Sequence, residues 1–160
     1  MTTDSTTSVT RSVEVPLTPE RAFALFTERL EDFKPPEHNL LGAPIASTEF
    51  EPRVGGRIVD RAVDGTECAW ARVLAFEPPD RVVFSWDIGP TWQIETDPAK
   101  ASEVEVSFEP VGTDRTRVQI DHRHLDRHGP GWEAVRDGVG GAGGWPVYLQ
   151  RYADLVGAGA

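Results

Sequence analysis

The feature that most narrows the folds open to this chain is a series of short apolar–polar alternations between Ile45 and His124, each closed by turn chemistry. Alternation at a period of two is the mark of a strand with one buried face. The predicted strands are Ile45–Phe50, Arg57–Val63, Glu67–Phe76, Arg81–Ile88, Glu103–Phe108 and Thr116–His124. Asp64-Gly65 suits the positive φ angles of a tight hairpin, and Glu77-Pro78-Pro79-Asp80 breaks a ladder because proline cannot donate to it. An earlier alternation from Val9 to Pro16 adds a seventh strand.

Two segments switch to helical period. Thr18 is a suitable N-cap with Pro19 at the first helical position, and Phe23, Phe26, Leu30 and Phe33 then form one apolar stripe, stopped by Lys34-Pro35-Pro36. Near the other end, Trp145, Tyr148, Leu149, Tyr152, Leu155 and Val156 recur on one face, opposite Gln150, Arg151 and Asp154. WEAVRDGV reads as a short helix, and the glycines that follow read as a flexible joint. A helix, a run of antiparallel strands and a closing aromatic helix define an α+β domain. Residues 1–8 are expected to be a disordered tail, 9–156 a single domain and 157–160 a second tail.

Charge and cysteine content exclude several functions. Sixteen Lys and Arg against 26 Asp and Glu give a net charge of −10, which repels phosphate backbones and anionic lipid heads. Neither nucleic acid nor a membrane is therefore expected as a partner, and no apolar run reaches the ~20 residues that span a bilayer. Cys68 is the single cysteine, so no intrachain disulfide can form; a cytoplasmic location is expected. Cys68 has no close basic neighbour and is read as inert.

His122, His124 and His128 fall within VQIDHRHLDRHG. Strand parity places Val118, Ile120, His122 and His124 on the inward face, whereas His128 lies beyond the strand and is expected at the surface. The inward pair has four readings: a metal pair, a general base, a polar rim to the core, or a polar anchor inside a cavity. A metal site lacks further ligands and no nucleophile signature supports a base, so no metal and no catalytic residue is assigned. Trp70, Phe84, Trp86, Trp145, Tyr148 and Tyr152 would serve equally as core. However, buried Trp and Tyr bring polar handles that want partners, which favours a pocket over a dry core.

The segments VEVPLTPERAFALFTE, EPRVGGRIVDRAVDGTECAWARVLAFEPPDRVVFSW, VEVSF, TRVQIDHRHLDRHG and GGWPVYLQRYADLV resemble SRPBCC proteins of the START/Bet v-type superfamily. Within it they resemble the branch named after the activator of Hsp-90 ATPase homologue (AHSA-like). The resemblance implies a helix-grip fold, a curved seven-stranded antiparallel sheet packed on a long C-terminal helix with a cavity between them. It implies binding of a small hydrophobic or amphipathic molecule, with no cofactor; Trp70, Phe84, Trp86, His122, Trp145, Tyr148 and Tyr152 would contact it. A cofactor-free cyclase, aromatase or hydrolase is the alternative, and a chaperone-activating module a third. Binding without catalysis is the favoured expectation, chaperone contact is not expected, and a homodimer is compatible with the sequence. One departure stands out: relatives often carry Trp-Trp-Pro where this chain has Phe33-Lys34-Pro35, so that Lys34 either alters the cavity entrance or faces solvent.

Overall fold

The computed structural model describes residues 7–35 and 38–159. The expected tail at residues 1–8 lies mostly outside that range, as does Pro36 of the helix stop. Seven strands, β1 (Val9–Val15), β2 (Ile45–Phe50), β3 (Arg57–Ala62), β4 (Glu67–Glu77), β5 (Arg81–Trp86), β6 (Ser102–Gly112) and β7 (Arg115–Arg123), form one sheet in the order β1-β7-β6-β5-β4-β3-β2. Every pairing is antiparallel. Register shifts at Ile45/Ser47, Ile58/Val59, Val73/Ala75 and Pro110/Gly112 bend individual strands and raise local twist, which curves the sheet into a half-barrel.

Four helices complete the domain: α1 (Pro19–Glu28), α2 (Leu30–Phe33), α3 (Trp132–Gly140) and α4 (Trp145–Gly157). α1 and α2 make the crossing from β1 at one sheet edge to β2 at the other. The N-terminal helix is one turn less regular than its stripe predicts. Arg29 leaves helical geometry at φ −119° and ψ 24°, yet Phe23, Phe26, Leu30 and Phe33 all stay buried. Their rings pack edge-on or tilted against Phe108 and Tyr152, joining this hairpin of helices to the sheet and to α4. The Asp64-Gly65 hairpin has one more residue than a two-residue turn. Only Gly65 takes positive φ (+89°), Gly65 N–H donates to Ala62 C=O, and the Asp64 carboxylate accepts from the Thr66 N–H and hydroxyl.

Val104, Val106 and Phe108 are buried as alternation requires, and so are Val118, Ile120 and His122. The central strand β5 departs from it: Ser85, and Asp87 just after the strand, alternate with the inward Phe84 and Trp86 yet are also buried. Ser85 Oγ accepts the Arg72 N–H at 2.9 Å and Asp87 holds the Arg72 guanidinium through both oxygens, so the outer face of β5 is roofed by its neighbour's side chain. The glycine run is packed at its two ends, around Gly140 and Gly144, while Ala142 and Gly143 between them are exposed. A Cβ on Gly144 would lie 2.1 Å from the Val139 carbonyl oxygen, and one on Gly140 would lie 3.1 Å from the Val9 methyls. These glycines let α3 turn into α4 where no side chain fits.

Candidate functional site

A cavity of about 370 Å³ opens between the N-terminal end of α4, the end of α3, the inner faces of β3–β5 and the segment after α2. Its aromatic lining grows from three elements. Trp70 comes from β4, Trp86 ends β5, and Trp145 with Tyr148 forms the first turn of α4. The rings touch in sequence: Trp70–Trp86 centroids are 5.5 Å apart, Trp86–Trp145 5.4 Å and Trp145–Tyr148 4.9 Å, all edge-on or tilted. Such geometry sets the positive ring edge against the negative face. Ile88, Val139 and Trp92 extend the lining towards the opening, where the Trp92 side chain is exposed and its backbone takes φ +60°.

One part of the wall is charged. Lys34 Nζ lies 3.2 Å from Asp60 Oδ2, with both side chains about 95% removed from solvent (5% and 4% exposed). Lys34 Nζ also donates to the His38 carbonyl and sits 5.8 Å from the Trp70 ring centroid, while Asp60 accepts from the Thr48 hydroxyl at 2.7 Å. Of the two fates expected for Lys34, facing solvent is thereby overturned. Burying an ion pair costs desolvation that only such added partners offset. Beside it, His38 Nδ1 and Tyr148 Oη are 3.1 Å apart.

The predicted contact residues divide. Trp70, Trp86, Trp145 and Tyr148 line the cavity; Phe84, His122 and Tyr152 do not. Phe84 packs edge-on against Phe50 and Trp70 in the sheet core. Tyr152 is fully buried among Phe26 and Phe33 and donates its hydroxyl to the Ala22 carbonyl at 2.8 Å; burial pushes its phenol pKa up.

His122 points inward as parity demanded, but Trp145 comes between it and the cavity. Trp145 Nε1, which can only donate, lies 3.1 Å from His122 Nδ1. That nitrogen therefore carries no proton, and the proton of the neutral ring sits on Nε2, 2.7 Å from Ser102 Oγ. Ser102 Oγ also lies 2.8 Å from His128 Nε2, and His128 Nδ1 is a buried atom with no partner. Burial pushes the His122 pKa down to about 3, with the charge of His128 acting in the same direction. Burial also lowers that of His128, opposed by Glu95 and Asp87.

Two histidine expectations are corrected. His128 is not a surface residue but 6% exposed, drawn inward by the turn Leu125–His128 and its bond to Ser102. His124 is not inward: β7 ends at Arg123, His124 takes a left-handed φ of +60°, and its side chain is exposed. The two rings of the His122/His124 pair therefore diverge. Among the described residues no group of three or more His, Cys, Asp or Glu could hold a metal ion. Cys68 is buried, and burial raises its thiol pKa.

Sequence reasoning missed Asp60, His38 and the wall glycines. Asp60 had a legible signal, since it shares strand parity with Ile58 and Ala62 and so carries a carboxylate on an inward face.

Comparison with known proteins follows the same outline. A family model described as activator of Hsp90 ATPase homolog 1-like protein matches residues 16–157. Among solved structures, an anthrahydroquino-γ-pyrone synthase, Txn09, is 39% identical, with 93% of this chain and 96% of that chain covered at a TM-score of 0.66. A self-sacrificing resistance protein, CalC from Micromonospora echinospora, is 28% identical, with 96% of each chain covered and a TM-score of 0.66. An HSP90 activator from Plasmodium falciparum is 19% identical, with 94% of this chain and 96% of that chain covered and a TM-score of 0.58, a likeness of fold. No protein of curated function matches. Among the described residues no helix is long and apolar enough to cross a membrane.

Proposed function

The chain belongs to the activator of Hsp90 ATPase homolog 1-like family of SRPBCC helix-grip proteins, and from that premise we propose that it binds a small, largely aromatic molecule in the cavity beneath the start of α4. The observation that carries this reading is the ring sequence Trp70–Trp86–Trp145–Tyr148. Each ring is at most 6% exposed, yet all four face a common space of about 370 Å³. Cavities of roughly 300–1,000 Å³ with apolar walls and few polar groups are the usual form of small-molecule sites. Binding would draw on buried apolar area, at about 25 cal/mol per Å². A cytoplasmic setting fits the one reduced cysteine.

The test is native mass spectrometry of the purified protein against a panel of tricyclic aromatic compounds. Retained one-to-one adducts, lost on Trp145→Ala, are expected. A panel without adducts would overturn the reading.

A second reading, catalysis, is favoured by the His38–Tyr148 contact at the cavity wall and by the 39% identity to a pyrone synthase. A hydroxyl and an imidazole 3.1 Å apart can pass a proton, the requirement for ring closure of a hydroxyaryl diketone with loss of water. An ortho-hydroxyphenyl β-diketone, which closes to a γ-pyrone, is the probe. Acceleration over buffer that falls in His38→Gln while binding persists would favour this reading; a rate equal to buffer would remove it.

A further inference from the structure

The exposed residues of the cavity lining, Leu40, Trp92, Gly138 and Gly143, mark its rim. Trp92 is the largest of them, 45% exposed, on a short loop between Ile88 and Ile94. Three features meet there, each unfavourable by itself. The Trp92 backbone takes φ +60°, which bulky side chains rarely adopt. Gly138 stands inside α3 without a positive φ to require it, where alanine would be the better helix former. A large apolar ring is left half in water. One contact ties the three together. A Cβ on Gly138 would lie 2.8 Å and 3.0 Å from the outer edge of the Trp92 ring, so the absent side chain is the seat on which that ring rests. The loop has a second seat on the same helix, since a Cβ on Gly131 would lie 3.3 Å from Pro90 Cβ. Seven residues, about two helical turns, separate the two glycines, which places them on one side of α3.

We propose that residues 89–93 form a lid over the cavity mouth and that Trp92 is its closing residue: seated on Gly138 the ring caps a bound molecule, and it must leave that seat for the molecule to pass. This deepens, and rests on, the binding reading above. The base of the loop is fixed. Ile88 and Ile94 pair as a bridge, Glu95 N–H donates to the Asp87 carbonyl at 2.7 Å, and Asp87 N–H donates to the Trp70 carbonyl at 3.0 Å. Its tip is held differently. Among the described residues, 89–93 hydrogen-bond only to one another, Gly89 N–H to the Gln93 carbonyl and Trp92 N–H to the Gly89 carbonyl. The tip therefore rests on α3 by apolar contact alone and can lift without breaking a hydrogen bond, as segments of low local stability do. A lid of this kind slows ligand exchange in both directions, because entry and departure both wait for it to open.

The experiment follows N-phenyl-1-naphthylamine, a neutral aromatic probe that brightens in apolar surroundings, by stopped-flow fluorescence. It uses wild type, Trp92→Ala, Gly138→Ala and the double variant, each checked for folding by circular dichroism. Trp92→Ala is expected to raise both the association and the dissociation rate constants, by about fivefold or more. A residue that is only wall would raise dissociation and leave association unchanged. Gly138→Ala pushes the ring off its seat and should raise both constants in the same direction by a smaller factor. In the Trp92→Ala background the same substitution should change neither by more than about twofold, because the ring it acts through is gone. An association rate in Trp92→Ala within about twofold of wild type, slower exchange in Gly138→Ala, or a Gly138→Ala effect that persists without Trp92 would overturn the lid while leaving the binding reading in place, since the probe still binds. A wild type that does not bind the probe would overturn both.

Discussion

The indole N–H of Trp145 donates to His122 Nδ1 across 3.1 Å, and through that bond the first residue of α4 dictates the tautomer of a histidine on β7. The chain of polar contacts runs on through Ser102 to His128, so that four residues from β6, β7, the turn after β7 and α4 are linked. Protonating His122 on Nδ1 would set two donors face to face. His122 thus acts on the cavity indirectly, by holding Trp145 in its wall.

Stability should fall with acidification before the carboxylates titrate. Above the ordinary value of 6.5, folded and unfolded chains both hold His122 neutral. Below it the unfolded chain takes up a proton that the folded chain refuses until the pH nears about 3, so the stability present above 6.5 drains as the pH falls between those values. The loss is about 1.4 kcal/mol per pH unit for each proton, and His128 acts in the same direction. Urea unfolding at pH 7 and pH 5 measures it. His122→Gln should flatten the slope; an unchanged slope would contradict the buried neutral ring.

Breaking the Lys34–Asp60 pair from one side should cost more than removing it whole. Lys34→Met or Asp60→Asn alone strands a buried charge, at about 3–5 kcal/mol. The double variant leaves no stranded charge and should be less destabilised than either single variant. A double-mutant cycle in denaturant gives the coupling directly, and additive losses would show the pair to be uncoupled.

Two wall glycines should respond oppositely to alanine. At Gly144 the new methyl meets the backbone of Val139 and Gly138, which cannot step aside, so Gly144→Ala should lose on the order of 3 kcal/mol or displace α4. At Gly138 it meets only the far edge of the Trp92 ring, at 2.8 Å and 3.0 Å, and that side chain is exposed. Gly138→Ala should therefore keep stability within about 1 kcal/mol, helix propensity favouring alanine, while shifting Trp92. Thermal melts and tryptophan emission separate the two outcomes.

Removing the hydroxyl from the two tyrosines of α4 should separate scaffold from site. Tyr152→Phe loses the bond to the Ala22 carbonyl and about 1 kcal/mol of stability, with little change in any cavity ligand's affinity. Tyr148→Phe loses the contact with His38 inside the cavity and should alter affinity or turnover. Melting temperature and dialysis on both variants check this, and the reverse pattern would refute the lining described above.

The sequence by itself determined the element order, the inward sets Val104/Val106/Phe108 and Val118/Ile120/His122, and the buried face of α4, because strand and helix periods are local properties written in which residues are apolar. It also singled out four of the lining rings. Tertiary structure alone decided the rest. Whether Trp145 or His122 faced the cavity depended on how α4 lies over the sheet, and both are inward by their own local pattern. His128 became buried because a left-handed His124 ended β7 and turned the chain back onto Ser102. Lys34 and Asp60 stand 26 positions apart in sequence and meet only where the segment after α2 crosses the inner face of β3, next to Trp70. A charge pair of that kind leaves no periodic trace: its members satisfy each other across space, and the chain between them carries no record of the distance.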